Sequence, residues 1–327
     1  MGELTDTLKE LADAIRSSNG VSVKLTLRDM INVINGNLIF IKNADDLVSF
    51  IKISTKENTA GKHYLQTSDI DLTGIDCGIV RSFSGVYDGG FHTVKGLTYS
   101  NPNSTNSGNG ATGLFADLAT GGIIKNLGVK NFSLSGYFNT GSLSGKNNQQ
   151  SKVYNCWSEN ATLTKLNTEG NTNSYSVGGL VGSSYGVIGN CYSFGSAISG
   201  WNHQGGLIGY LGTGCRVINC ASISSIITNG RSPSGALCGS IVSSSVRIIH
   251  SYGAKYNDID KLVGTVENAN NIDTESQVMD ESDMTSQEFV QTMNDGLETA
   301  SSYLLTDINE LAQWIYNYGG YPNLQGF

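Results

Sequence analysis

The chain reads as a mainly β protein. Its central part is expected to form a parallel β-helix (a solenoid), preceded by a short α-helical N-terminal segment and followed by a C-terminal cap. Three observations predict this. A Gly-Leu pattern recurs at solenoid spacing, and an Asn-containing strand follows each copy at a near-constant offset. In addition, charged residues make up only 15% of the 327 residues while Gly contributes 41. Such a balance suits many short strands joined by tight turns, because Gly and Asn accept the left-handed backbone that turns require. With three Pro, the chain is neither a collagen nor a Pro-rich linker.

The elements follow in order. Residues 3–18 form a helix, because Leu4, Leu8, Leu11 and Ile15 recur at three- and four-residue steps and share one face. Asn19-Gly20 ends it. A short strand, Val21–Leu25, is expected next. Thr26 and Asp29 then open a second helix as an approximate capping box, with Met30, Ile31, Val33 and Ile34 as its apolar surface. Residues 1–37 bury little by themselves and read either as a cap on the main domain or as an anchoring or oligomerisation segment, in which Leu4, Leu8, Leu11 and Ile15 form the assembly face.

Residues 38–265 are assigned to the β-helix with its opening cap. A helix, Ala44–Ile53, is N-capped by Asn43. Strands follow at Tyr64–Thr67, Asp69–Leu72, Phe83–Gly90 and Thr93–Leu97, with Asp88-Gly89-Gly90 as a tight-turn signal. The repeats begin at Leu114, Leu143, Leu180, Leu207, Leu237 and Leu262, spaced 29, 37, 27, 30 and 25 residues apart. Periods of this size indicate a solenoid, in which stacked copies share a core that no single copy can bury. The six Leu are expected to stack. Asn126, Asn155, Asn190 and Asn219 are expected to form a ladder, each amide bonding the next. Cys156, Cys191 and Cys220 fall at one repeat position and read as stacked buried thiols rather than a disulfide or metal site. The stretches Tyr137–Gln150 and Lys165–Ser176 are expected to project sideways as loops.

Residues 266–327 leave the repeat and are assigned as the C-terminal cap. Val266–Ser282 is polar and expected to be extended. Thr285–Glu288 resembles a capping box before a helix carrying Phe289, Val290 and Met293. The aromatic ending, Trp314–Tyr316 through Tyr321–Leu324, is expected to cover the exposed strand edges of the last repeat.

Composition excludes several functions. The net charge of −8 and the lack of any Lys/Arg run disfavour a nucleic-acid partner. No apolar run is long enough to span a membrane, and residues 1–19 contain no signal-peptide apolar core, so membrane insertion and export are not expected. None of the four His forms an HExxH motif, and no Walker-type loop or Gly-x-Ser-x-Gly elbow is present. No cofactor and no metal site is therefore expected.

The repeat resembles the GLUG motif family, most closely at Gly178–Gly182 with Asn190-Cys191-Tyr192 and at Gly205–Gly209 with Asn219-Cys220. Tyr64–Leu72, Phe83–Leu97, Met284–Asn294 and Tyr321–Leu324 extend the likeness over roughly residues 60–327. The resemblance implies a right-handed winding. Leu8–Arg16 with Lys24–Met30 resembles a segment that often begins phage tail and fibre proteins. Together these imply a virion protein: a homotrimeric fibre, spike or head decoration, joined to other virion proteins through its N-terminus and presenting the β-helix to a host-surface glycan. The same resemblance leaves a polysaccharide depolymerase or a bacterial surface adhesin as alternatives.

Glycan binding needs exposed aromatic faces and amides. Tyr137, Phe138, Trp157, Tyr185, Trp201 and His203 are the candidates, with Trp201 foremost because Ser199-Gly200 and Asn202 flank it as a bend. Glycan cleavage needs paired carboxylates. Asp69, Asp71, Asp76 and Asp88 near the first strands are the acids available, and no catalytic assignment is made.

Overall fold

The computed structural model describes residues 2–22, 24–101, 110–166, 176–200, 202–227, 234–266 and 271–327. It is mainly β, built from three parallel sheets of seventeen, six and four strands, with a two-stranded antiparallel pair near the end. Successive repeats visit the three sheets in the same order. Val177–Gly178 joins the four-stranded sheet, Val181–Ser184 the six-stranded sheet, and Val187–Gly189 with Tyr192–Ser199 the large sheet. Gln204–Gly205, Ile208–Leu211, Arg216–Ile218 and Ala221–Ile227 repeat the circuit. This order is compatible with a solenoid-like fold.

The register explains the spacing. Tyr64, Tyr87, Ile124, Val153, Ile188, Val217 and Ile248 are consecutive partners across the large sheet and form one buried row. The repeat Leu residues are all buried, and the amides of Leu180, Leu207 and Leu237 donate to Leu207, Leu237 and Leu262 respectively. Glycine precedes Leu207 for a steric reason. A Cβ on Gly206 would lie 2.1 Å from the Ala236 carbonyl oxygen, so only a residue without one allows neighbouring chains this close.

Each repeat turns a corner at its Asn. Asn126, Asn155, Asn190 and Asn219 have φ of 51–54°; the last three separate two successive strands of the large sheet, and Asn126 bends the continuous strand Ile123–Lys130. Asn tolerates this left-handed conformation better than other residues with a Cβ, which accounts for its recurrence. His250 takes the fifth corner with φ 49°.

The helices follow their local signals. α1 (Gly2–Asn19) ends at Gly20, φ 65°, and α2 (Leu27–Ile34) has a complete Thr26/Asp29 capping box. α3 (Ala44–Ile53) is capped by the Asn43 side chain, which accepts from the Asp46 amide. Its Phe50 packs against Tyr64, Phe83, Tyr87 and Phe115, filling the start of the core with aromatic rings. After α4 (Lys56–Thr59) and the repeats come α5 (Glu281–Met284), α6 (Gln287–Asp295), capped by Ser286, and α7 (Leu297–Leu304).

Four expectations need correction. The described residues among 21–25 form no strand; Leu25 instead fills the gap between α1, α2 and the first strands. Asp88-Gly89-Gly90 is not a hairpin turn. It is a bulge within Val86–Lys95, whose parallel partner is Ile123–Lys130. Within Tyr137–Gln150, Thr140–Gly141 and Ser144–Asn147 are strands of the two smaller sheets rather than a loop. Most of the second proposed loop, residues 167–175, lies outside the described residues.

The fourth correction concerns the C-terminus. Residues after α6 do not cover the last repeat; they run back along its flank. Glu310 and Ala312 accept from Asn155 and Asn190, Trp314 packs on Tyr192, and Phe327 reaches Trp157 and Phe91. The last repeat is instead extended by Gln277–Met279, which pairs with Tyr252–Ala254. On the flank the tail packs against the stacked rings of Trp157, Tyr192 and Phe194, a continuous apolar row.

Candidate functional site

The N-terminal helices carry an apolar surface that the chain leaves uncovered. Ala12 and Ile15 of α1 pack with Leu25, Met30, Leu38 and Leu65, with Leu8 partly buried beside them. This corrects the predicted assembly face: Ile15 is committed to holding α1 on its own chain. Leu4 and Leu11 remain exposed, at 66% and 36%. Leu27, Ile31 and Ile34 were not predicted as an assembly face; sequence reading named Ile31 and Ile34 only as apolar surface of α2 and missed Leu27. Their spacing of four and three puts them on one side of α2, and all are about half exposed or more. The signal lay in the period of α2, whose other apolar residues, Met30 and Val33, pack inward.

The proposed sugar-facing residues separate into two groups. Trp157 and Phe138 are 5% and 3% exposed and belong to the interior. Trp157 stacks on Tyr192 with an interplanar angle of 2°, beneath the C-terminal tail. Tyr137 is half-buried, and Trp201 lies outside the described residues. Tyr185 and His203, by contrast, meet at a residue that was not predicted. Tyr210 lies 6.2 Å from Tyr185 and 5.6 Å from His203, ring centre to ring centre. All three are partly exposed, and Lys146 sits 6.0 Å from the Tyr185 ring. The register places them there: Lys146 is level with Ser183, and Ser183 with Tyr210, on the six-stranded sheet. Gly212 helps, because a Cβ there would collide with the Tyr185 ring at 2.1 Å. His203 Nδ1 is buried with no hydrogen-bond partner among the described residues.

Burial holds the His203 pKa below its usual value, and Lys165 adds to the effect. Burial also lowers that of His63, on the second strand of the large sheet. Both folded-state values therefore lie under the unfolded value of 6.5. As pH falls below it, the unfolded chain takes up protons first, so stability declines until the folded-state values are passed. Thermal melts between pH 7.5 and 5 are expected to show falling Tm, and His63→Gln with His203→Gln to flatten part of that fall. A decline equally steep in the double variant would remove these residues as its source.

The corner residues form a continuous chain of side-chain bonds. Asn126 Nδ2 donates to Asp88 at 2.9 Å, Asn155 to Asn126 and Asn190 to Asn155 at 2.8 Å, and Asn219 to Asn190 at 3.0 Å. Beneath them Cys156, Cys191 and Cys220 are buried free thiols. Burial pushes the Cys191 thiol well up, and its neighbours Cys156 and Cys220 push it further. The Cys191 thiol is therefore a poor nucleophile, and all three side chains are buried in the core.

The acids have structural partners. Asp69 accepts from the Thr93 amide. Asp71 is held down at about 2 by bonds from the Thr73 side chain and backbone and by Lys95, so it stays ionised and cannot donate a proton near neutrality. Asp88 bonds Asn126, the Gly90 amide and Lys125. Among the described residues, no group of three or more His, Cys, Asp or Glu could hold a metal ion. No helix there is long and apolar enough to cross a membrane.

No protein-family profile matches the chain, and no curated protein matches it. Solved structures to which the chain is similar include the following two. One is a candidate immunoglobulin A1 protease from Bacteroides ovatus, with 16% identity, 88% of this chain and 92% of that chain covered, and a TM-score of 0.49. The other is an IgA1 protease, with 14% identity, 73% of this chain and 21% of that chain covered, and a TM-score of 0.45.

Proposed function

We propose that this chain is a structural protein of a phage virion, a tail fibre, spike or head decoration, whose parallel sheets wind as one right-handed β-helix. The N-terminal helices join copies into a homotrimer and hold them to other virion proteins. The β-helix faces the host surface and attaches to a glycan.

The observation that carries this reading is the uncovered apolar surface of the N-terminal helices, Leu4, Leu11, Leu27, Ile31 and Ile34. Water-exposed Leu and Ile aligned on one side of a helix are a cost that association removes. The flank of Tyr185, Tyr210 and His203 supports the attachment half, because partly exposed rings beside a cation suit a sugar face.

Light scattering of the purified chain tests the assembly. The full chain is expected to be a trimer, and Leu27→Ser with Ile31→Ser and Ile34→Ser a folded monomer with unchanged far-UV circular dichroism. A full-length monomer would overturn the assembly. Mass spectrometry of virions from a lysate that expresses the coding sequence tests the location, and absence from purified particles would overturn it.

A further inference from the structure

A cleft of about 860 Å³ lies where the N-terminal segment, the first strands and the C-terminal tail meet. Its volume falls within the range of small-ligand sites, about 300–1,000 Å³. The register builds its floor. His63, Val86, Ile123 and Lys152 are level on four neighbouring strands, and two residues further along Leu65, Asp88, Lys125 and Tyr154 are level. Side chains two apart on a strand share a face, so both rows point outward together. Three steps between strands make each row about 14 Å long. The start of α2 forms one wall and residues 304–310 the other.

Lys125 anchors the floor. Its Nζ lies 3.4 Å from Asp88 and 3.7 Å from Glu310. Burial opposes its charge, but Asp88, Tyr154 and Glu310 outweigh that and keep it protonated. Glu310 Oε2 also accepts from Tyr154 and Thr306. The network is rigid because each member has at least two partners.

Other polar atoms of the cleft stay open. Among the described residues, Glu310 Oε1 has no hydrogen-bond donor, and the His63 ring makes no hydrogen bond. Arg28 has no ion pair or hydrogen bond there, and Lys152 donates to the Leu304 carbonyl without meeting a carboxylate. The open set is thus mixed: acceptors at Glu310, His63 and the wall carboxylates Asp29 and Asp307, cations at Arg28 and Lys152. Hydroxyl groups, which both donate and accept, match the first; a carboxylate matches the second. Inorganic phosphate offers no array of hydroxyls for Glu310 and His63, and at neutral pH it brings more negative charge toward Asp88 and Glu310 than a carboxylate does.

We infer that this cleft binds a short saccharide carrying carboxylate groups, with its hydroxyls over His63 and Glu310 and an acid group toward Arg28 and Lys152. The choice of a saccharide rests on the attachment reading above; the cleft is a different place from the Tyr185–Tyr210–His203 flank. An array of carboxylated and neutral oligosaccharides, probed with the full-length chain, tests it. Carboxylated glycans are expected to bind, and neutral ones of equal length at least tenfold more weakly. Arg28→Ala, at an exposed position that folding does not need, is expected to lower the signal at least tenfold. Tyr318→Ala, at an exposed ring outside both the flank and the cleft, is expected to leave it within twofold. Loss in Tyr210→Ala with retention in Arg28→Ala would overturn the cleft while leaving glycan attachment standing. No binding to any carboxylated or neutral glycan would overturn both.

Discussion

Replacing Asn190 with alanine is expected to lower stability by about 3–5 kcal/mol, because several buried groups lose their partners together. Asn190 Nδ2 donates to Asn155 Oδ1 and to the Ala312 carbonyl, both at 2.8 Å. Its Oδ1 accepts from Asn219 and, at 2.6 Å, from the Trp314 indole. The residue is fully buried, so water cannot replace these bonds. A second cost comes from its φ of 54°, which alanine adopts poorly. Asn190→Gly separates the two effects: it keeps the corner and loses only the bonds, so it should fall between wild type and Asn190→Ala. Chemical denaturation measures both. Equal stability of wild type and Asn190→Ala would mean that the ladder is not a stabilising element.

Trp314→Ala is expected to cost a similar amount, about 3–5 kcal/mol, as a large buried aromatic side chain removed from a packed interface. Trp314 is 2% exposed, packs on Tyr192 at 5.6 Å and donates to Asn190. Its backbone is held on both sides by Asn294, at 2.8 and 3.0 Å. The loss should appear first as loosening of residues 305–327, read as faster proteolysis there than in the repeats. Because Trp314 and Asn190 share a bond, the double variant should cost less than the sum of the single ones. Strict additivity would show that the tail and the ladder are energetically separate.

Much of the fold was legible in local chemistry. Asn43, Thr26 and Ser286 cap their helices through side-chain oxygens, an interaction completed within three residues. The recurring Leu and Asn residues also carried long-range information, because each repeat pairs with the next in the same register and one copy predicts the neighbours of another. The recurring Asn were legible as a ladder and not as corners; the left-handed backbone at each, which limits the choice of residue, came only with the structure.

The candidate sites were less legible. Lys125 meets Asp88 and Glu310, residues 37 before it and 185 after it, and no period links those three. Asp88 did carry a faint signal: it stands beside a bulge and starts the ladder that Asn126 continues. Tyr210 gave none, being one of 15 Tyr until the register set it beside Tyr185 and His203.

By itself, then, the sequence determined the class of the fold, the caps of the helices and the residues that repeat, because these depend on local backbone preference and on a period. Only the tertiary structure decided the path of the C-terminal tail, the burial of Trp157 and Ile15 within the chain, and the floor of the cleft. Those outcomes depend on which distant apolar side chains stack into one surface and on which side chains the register brings level. Neither is written in any one stretch of residues.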